Sequence, residues 1–431
     1  MLHNNLGIND SGNLTIAGFD TVSLAKKYGT PLYVLDTDYV FNSCIKYKNL
    51  IAKYFGEGSK PLLASKALSC MEVYRIANKA GIGIDVVSCG EIYTAKKAGF
   101  PMENAYFHGN NKTDADIKMA LDNGVGCFVV DNLDELAALQ REAASRNVTV
   151  RAMLRVSPGI DPHTHKAVAT GSVDSKFGVA IETGQAMDAV KKLLACSNLE
   201  FEGLHCHIGS QIFDYKPFAE AAEQMIRFIS QIKSETGVTV PALNLGGGFG
   251  VKYTDADPDF DYEKVLSDIS QSIENTCKAL GVERPRVYFE PGRSMVAAAG
   301  LTLYTVGSFK TITGYKSYVS IDGGMPDNPR YALYQSKYTC LIANKAGADK
   351  NVCATVAGRC CESGDLIQED VPLQECGRGD ILAVLVTGAY NYSMASNYNR
   401  LPRPAMVGVG NEGDRIIIKR ESFEDIVSND I

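Results

Sequence analysis

From residue 62 onward the chain repeats one pattern: a short apolar run, a turn of small or polar residues, then a stretch whose apolar positions recur three to four apart. The apolar runs fall at 62–66, 84–88, 105–110, 128–131, 150–156, 201–209, 242–248 and 286–290. Between them, 71–79, 92–98, 113–123, 133–146, 184–195, 217–234 and 262–279 carry helical spacing. Eight such units predict a (β/α)8 barrel, a fold that typically occupies about 250 residues. An open doubly wound sheet shares the same alternation and stands as the alternative. An earlier run, Pro31-Leu-Tyr-Val-Leu-Asp36, lies outside the repeat and is followed by a helical stretch at 38–54. After Glu290 the texture changes. Runs at 301–311, 318–321, 352–357, 381–386 and 415–418 read as strands with few helices between them, punctuated by Asp322-Gly-Gly, Ser363-Gly-Asp and Gly377-Arg-Gly-Asp turns. We therefore expect a barrel over 37–297 and a β domain built from 1–36 and 298–431, with the detached strand joining the latter.

Composition narrows the function classes. Of 431 residues, 45% are hydrophobic and 22% charged, an ordinary globular balance. The net charge of −7 argues against a dedicated nucleic-acid or anionic-membrane protein. No apolar run approaches the roughly 18–20 residues needed to cross a bilayer. Residues 1–20 are polar and lack a signal-peptide pattern. The twelve cysteines include no CxxC pair, so a reducing cytoplasm is the expected location.

In a barrel, chemistry gathers at the C-terminal ends of the strands. Those ends carry Lys66, Asp85 with Ser88, His108-Gly-Asn110, Asp131, Arg155, His205-Cys-His207-Ile-Gly-Ser210, Gly246-Gly-Gly248 and Glu290-Pro-Gly-Arg293. Taken singly, Lys66 reads as a snorkelling strand-end lysine; in a barrel mouth its amine is a candidate for a Schiff base. Gly246-Gly-Gly-Phe-Gly250 lacks the spacing of a dinucleotide fold or a P-loop. It follows the seventh run, however, where this fold places phosphates, and glycines admit an anion close to backbone N–H groups. Glu290 suits a general base, a metal ligand or a partner for a protonated ring nitrogen. His205 and His207, two apart on a strand, point to one side as an HxH metal pair requires, and His163 and His165 repeat the spacing. A barrel metal hydrolase is thus the rival reading.

Several motifs occur together in order: Pro31-Leu-Tyr-Val, Ala64-Ser-Lys-Ala67, His108-Gly-Asn-Asn-Lys112, Thr170-Gly171 with Ser175-Lys-Phe-Gly178, and His207-Ile-Gly-Ser-Gln211. Asn244-Leu-Gly-Gly-Gly-Phe-Gly250, Glu290-Pro-Gly-Arg-Ser294, Cys361-Glu-Ser-Gly-Asp365, and Gly388-Ala-Tyr390 with Met394-Ala-Ser-Asn-Tyr-Asn399 complete the series. In this series, from about residue 30 to 405, the chain resembles the diaminopimelate decarboxylases, of the alanine-racemase-like class of pyridoxal-phosphate (PLP) enzymes. It departs from the family pattern at Ser65, Leu68 and Met406.

The resemblance implies the same barrel-plus-β-domain architecture, a PLP cofactor and a homodimer with shared active sites. By motif, Lys66 would hold PLP as a Schiff base, His207 would stack on its ring and Glu290 would pair with the ring nitrogen. Ser210, Gly248, Pro291, Gly292 and Arg293 would hold the phosphate, with Tyr390 closing the site against cofactor and substrate. Asp85 would lie near the ring and Arg155 would brace Glu290. Arg293, Arg330 and Tyr334 would grip the distal carboxylate of the substrate, Glu362 its distal ammonium. Cys361, supplied across the dimer interface, would protonate the carbanion left by CO2. Guanidinium groups bind carboxylates through paired hydrogen bonds, so two arginines suit a substrate whose far end is itself an amino acid. The implied reaction is decarboxylation of meso-2,6-diaminopimelate to L-lysine. Decarboxylation of another basic amino acid or carboxylated polyamine precursor, and a non-catalytic PLP-binding relative, are the alternatives. No metal, nucleic-acid or membrane partner is expected.

Overall fold

The computed structural model describes residues 1–160 and 175–431, which form two compact units. One comprises 43–250 and 260–292; the other comprises 1–42, 251–259 and 293–431.

The first unit is the barrel. Its strands are Lys60–Ala64, Gly83–Val86, Ala105–Phe107, Cys127–Val130, Val150–Ser157, Leu199–His205, Ala242–Asn244 and Arg286–Phe289, each parallel to its neighbours in chain order. Tyr288 pairs with Lys60, so the last strand returns to the first and the ring closes, which excludes the open sheet. Both faces of these strands are covered, and their burial is nearly continuous rather than alternating. Seven of the helices fall where the periodicity predicts them, from Met71–Ala80 to Tyr262–Leu280. Their starts are set chemically: Ser88, Thr113, Asn132 and Asp261 each accept backbone N–H groups of the first turn.

Leu62, Tyr106, Cys127, Val129, Met153, Ala242 and Tyr288 fill the barrel as one buried cluster. Buried Glu202 accepts from the Tyr288 hydroxyl at 2.8 Å, and Lys60 lies 5.1 and 5.3 Å from the Tyr106 and Tyr288 ring centres. Seven predicted runs end earlier in the structure, at Ala64, Val86, Phe107, Val130, His205, Asn244 and Phe289. Backbone geometry explains one clearly: Gly246 sits at φ +66°, a left-handed turn that a strand cannot contain.

The second unit carries a seven-strand path: Leu366–Leu373, Val352–Ala357, Lys316–Ile321, Gly300–Ile312, Leu32–Asp36, Ala405–Gly410 and Gly413–Ile418. Ile381–Leu385 also pairs with Gly300–Ile312, and Cys340–Ile342 with Ile381–Leu385. Leu32–Asp36 is antiparallel to 300–303 and parallel to 405–409. Three strands here were not predicted. Cys340–Ile342 is too short to show a period, Leu366–Leu373 carries charges and Pro372 on an edge, and Ala405–Gly410 has glycine at alternate positions. The polar N-terminus forms a small sheet from Leu6–Ile8, Leu14–Ile16 and Phe19–Asp20, then the helix Thr21–Tyr28. Among the described residues no helix is long and apolar enough to cross a membrane.

Candidate active site

Glu290 follows the eighth strand and is almost fully buried. Its Oε1 accepts from Asn244 Nδ2 at 2.6 Å and lies 2.8 Å from His108 Nε2; its Oε2 lies 3.1 Å from His205 Nε2. Burial alone would raise the pKa of this carboxyl, but His108 and His205 outweigh it and hold the group well below the usual carboxylate range. Burial pushes His205 down to about 4, so that ring is neutral near pH 7 and donates to an ionised Glu290. The strand ends thus deliver a fixed negative charge at the mouth.

Asp85, at the end of the second strand, is shifted upward by burial, and its Oδ1 is buried without a hydrogen-bond partner. Lys66 stands in the 3-10 turn Ser65–Ala67 directly after the first strand, and its charge acts on Asp85, Glu91 and His207. The Pro291-Gly292 segment packs on that turn: Ala64 N–H donates to Pro291 O at 3.3 Å, and a Cβ on Gly292 would lie 2.9 Å from Ala64 Cβ. The loops bearing Lys66 and Glu290 are therefore neighbours. Sequence reading missed Glu91, whose carboxylate accepts from Val87 N–H at 2.8 Å and is pushed up to about 7 by burial.

His205 and His207 do not act as a pair. His205 ends its strand and faces Glu290, whereas His207 lies beyond the strand and its Nδ1 accepts from Gly247 N–H at 3.3 Å. Burial, with the nearby Lys66 charge, keeps His207 neutral. The one group of metal-ligand atoms gathered within 4.8 Å among the described residues is His108, His205 and Glu290, without His207. The HxH arrangement that the rival metal reading requires is therefore not what the fold builds. His163, His165 and the Thr170-Gly171 motif lie outside the described residues.

Ser210 and Gly248 sit on adjoining loops. Ile212 N–H donates to Gly248 O and Gly250 N–H to Ile212 O, both at 3.0 Å. Gly248 has φ +105°, and a Cβ there would stand 2.2 Å from Gly209 O. Only glycine lets the two loops run so close, leaving backbone without side chain at the mouth.

A second buried layer supports the His108 loop. Lys112 Nζ donates to Glu135 Oε1 at 2.8 Å, Val129 O at 2.8 Å and Gly109 O at 3.0 Å. Glu135 Oε2 accepts from Asp131 N–H at 3.0 Å, and Asp131 Oδ1 from Gly178 N–H at 3.0 Å. Arg155 stacks 4.4 Å from the Phe177 ring centre, and its charge acts on Asp131, Glu290 and Asp85.

The remaining candidates belong to the second unit. The buried Arg293 donates to the Tyr253 hydroxyl at 2.8 Å. Arg293 and the buried Arg330 both lie over the Tyr390 ring, at 4.8 and 5.3 Å. Arg330 also lies 5.3 Å from the Tyr334 ring, and its Nε has no hydrogen-bond partner. Tyr390 takes φ +66° in the turn after Gly388, while the buried Asn391 donates back to Thr387 O at 3.1 Å. Cys361 and Glu362 are exposed; Cys361 N–H donates to Asn399 Oδ1 at 2.8 Å, and the Tyr398 hydroxyl lies 3.4 Å from Glu362 Oε2.

The pyridoxal binding domain of the pyridoxal-dependent decarboxylases matches residues 42–297. Along its whole length the chain is 43% identical to a diaminopimelate decarboxylase of Bacillus subtilis (strain 168), covering 98% of that protein. The chain belongs to the diaminopimelate decarboxylase family. A family member from M. jannaschii, crystallised with L-lysine, superposes with a TM-score of 0.90 at 35% identity, covering all of this chain and 99% of that one. One from Helicobacter pylori, also complexed with L-lysine, gives 0.85 at 30% identity over 95% of this chain and 98% of that one.

The family uses PLP, and the barrel mouth fits it. The side-chain-free edge at Gly248 suits a phosphate, the ionised Glu290 suits a protonated pyridine nitrogen, and the unpaired Asp85 Oδ1 leaves an acceptor for a polar ligand.

Proposed function

We propose that this chain decarboxylates meso-2,6-diaminopimelate to L-lysine and CO2, the last step of lysine biosynthesis. It does so with PLP on Lys66, as a homodimer with shared active sites in the cytoplasm. All twelve cysteines are free thiols, which suits a reducing compartment. The observation that carries the substrate is the placement of two buried guanidinium groups, Arg293 and Arg330, over one tyrosine ring. A diamine precursor such as ornithine needs only an acidic residue for its far end, whereas a distal carboxylate calls for the paired donors of arginine.

When bound, PLP supplies the electron sink for the pair left by departing CO2. Glu290, fixed by Asn244, His108 and His205, keeps the ring nitrogen protonated. His207, held neutral by burial and oriented by Gly247 N–H, offers its flat face to the ring. Ser210, Gly248, Pro291, Gly292 and the backbone of Arg293 hold the phosphate, Tyr390 closes the site, and Asp85 stands by the ring. Arg293, Arg330 and Tyr334 orient the distal carboxylate, and Glu362 takes the distal ammonium. The Cys361 thiol delivers the proton that replaces CO2.

The test is product identification with diaminopimelate, ornithine, arginine and carboxynorspermidine. Lysine and CO2 should form from the first alone, and Lys66→Ala should lose both turnover and the visible absorbance of the bound cofactor. Turnover surviving that substitution, or a preference for ornithine that Arg330→Ala leaves intact, overturns the reading.

A further inference from the structure

Two loops of the second unit meet at one buried carboxylate, and a third loop is bonded to both. Asp365 is 2% exposed, although the four residues before it are exposed. Its Oδ1 accepts from Met325 N–H at 2.6 Å and its Oδ2 from Cys360 N–H at 2.7 Å, so one side chain bonds two loops distant in sequence. Bonds this short from N–H to a carboxylate are the strong, charge-assisted kind. The pocket accepts the carboxylate only because Gly324 and Gly358 flank it: a Cβ on either would stand 2.4 and 2.2 Å from its oxygens.

Backbone bonds complete the knot. Arg359 N–H donates to Gly323 O at 2.9 Å and Gly358 N–H to Asp365 O at 2.8 Å. The third loop joins through Ser396 N–H to Pro326 O at 2.8 Å and through Asn399, whose Oδ1 takes the Cys361 amide. Asn399 holds a left-handed φ of +52° to reach it. One loop leads into the helix Arg330–Tyr334 and another carries Cys361 and Glu362.

We infer that Asp365 is a positioning residue that ties the loop carrying Cys361 to the loop leading into Arg330 of the same chain, so that the thiol lent across the dimer interface and the guanidinium that grips substrate in the chain's own site move as one body. The roles of Cys361 and Arg330 rest on the function proposed above; the latch itself does not. Cys360, immediately beside Cys361, is turned inward by the same bond and is half-buried, which leaves Cys361 as the exposed thiol of the pair.

The experiment compares the holoenzyme with its Asp365→Asn variant, which keeps the shape but turns a donor toward an N–H. Iodoacetamide labelling, read by peptide mass, follows Cys361 against Cys353, the other exposed cysteine. Amide hydrogen exchange follows Met325. The variant should change the Cys361 labelling rate at least threefold relative to Cys353 and speed Met325 exchange at least tenfold. With diaminopimelate it should lower kcat while the cofactor absorbance stays intact. Unchanged labelling and unchanged exchange overturn the inference, whatever the turnover. If the wild-type protein does not turn over diaminopimelate, the functional reading fails and these two measurements still judge Asp365. Should the variant not fold, the wild type decides: Met325 and Cys360 amides held by one carboxylate should exchange at a common rate, and rates more than tenfold apart sink the proposal.

Discussion

Replacing Lys112 with methionine strips the counter-charge from a carboxylate that water does not reach. The side chains of Lys112 and Glu135 are 1% and 2% exposed, and their N–O separation is 2.8 Å. Removing one member of such a pair costs about 3–5 kcal/mol, because the other is left buried and charged. For a domain of this size that corresponds to roughly 6–20 °C in Tm, at about 2–4 °C per kcal/mol. The double variant Lys112→Met with Glu135→Leu removes more bonds. It leaves Asp131 N–H, Gly109 O and Val129 O unpaired, at about 1 kcal/mol each, but no naked charge. It should therefore unfold no more easily than the single variant. Glu135 gives a second signature. Without Lys112 it retains a proton in the folded chain well above the roughly 4.3 at which it ionises when unfolded. The folded state then binds more protons, and the penalty must grow as pH rises. Urea titrations of wild type, both single variants and the double at pH 6 and 8 measure all of this. Strictly additive losses, or a penalty flat with pH, would refute the reasoning. Because Lys112 also ties down Gly109, next to His108, the single variant should lose cofactor affinity as well.

Two further perturbations probe other parts of the molecule. Burial pushes Asp327 up to about 7, far above its unfolded value of about 3.9. Its contribution to stability is thus present at low pH and is lost as pH rises through 7, so Asp327→Asn should gain on the wild type in melting temperature between pH 5 and pH 8. A difference that stays constant across that range would count against the assignment. Gly248→Ala forces a Cβ to within 2.2 Å of Gly209 O and must part the two loops. Titration with PLP should show at least tenfold weaker binding with an unchanged circular dichroism spectrum, and undiminished affinity would remove Gly248 from the cradle.

The barrel was legible because each of its units carries its own period. Eight apolar runs and seven amphipathic stretches need no distant information, and the closing pair of Tyr288 with Lys60 follows from fold geometry once eight are counted. The ionisable strand ends were legible for the same reason. Their partnerships were not, since they depend on how neighbouring units align: Asn244 bonds Glu290, and Lys112 bonds Glu135, between adjacent units rather than within one. Tyr253 gave no local sign that it would receive Arg293. The rival HxH reading fails because it needs the strand to continue to His207, while pairing stops at His205. In the second unit, alternating glycines at 405–410 hid a strand that only its neighbours define.

The strand Leu32–Asp36 occupies the middle of its sheet, yet its two neighbours come from 300–303 and 405–409. On a ribosome adding about 5–20 residues per second, this apolar segment waits roughly 20–75 s for its second flank to emerge. Throughout that interval the barrel is free to condense, while Leu32, Tyr33, Val34 and Leu35 remain unsheltered and open to wrong pairings. The order of synthesis and the order of the sheet thus conflict, and a nascent chain cut short before residue 405 leaves that strand half-bonded.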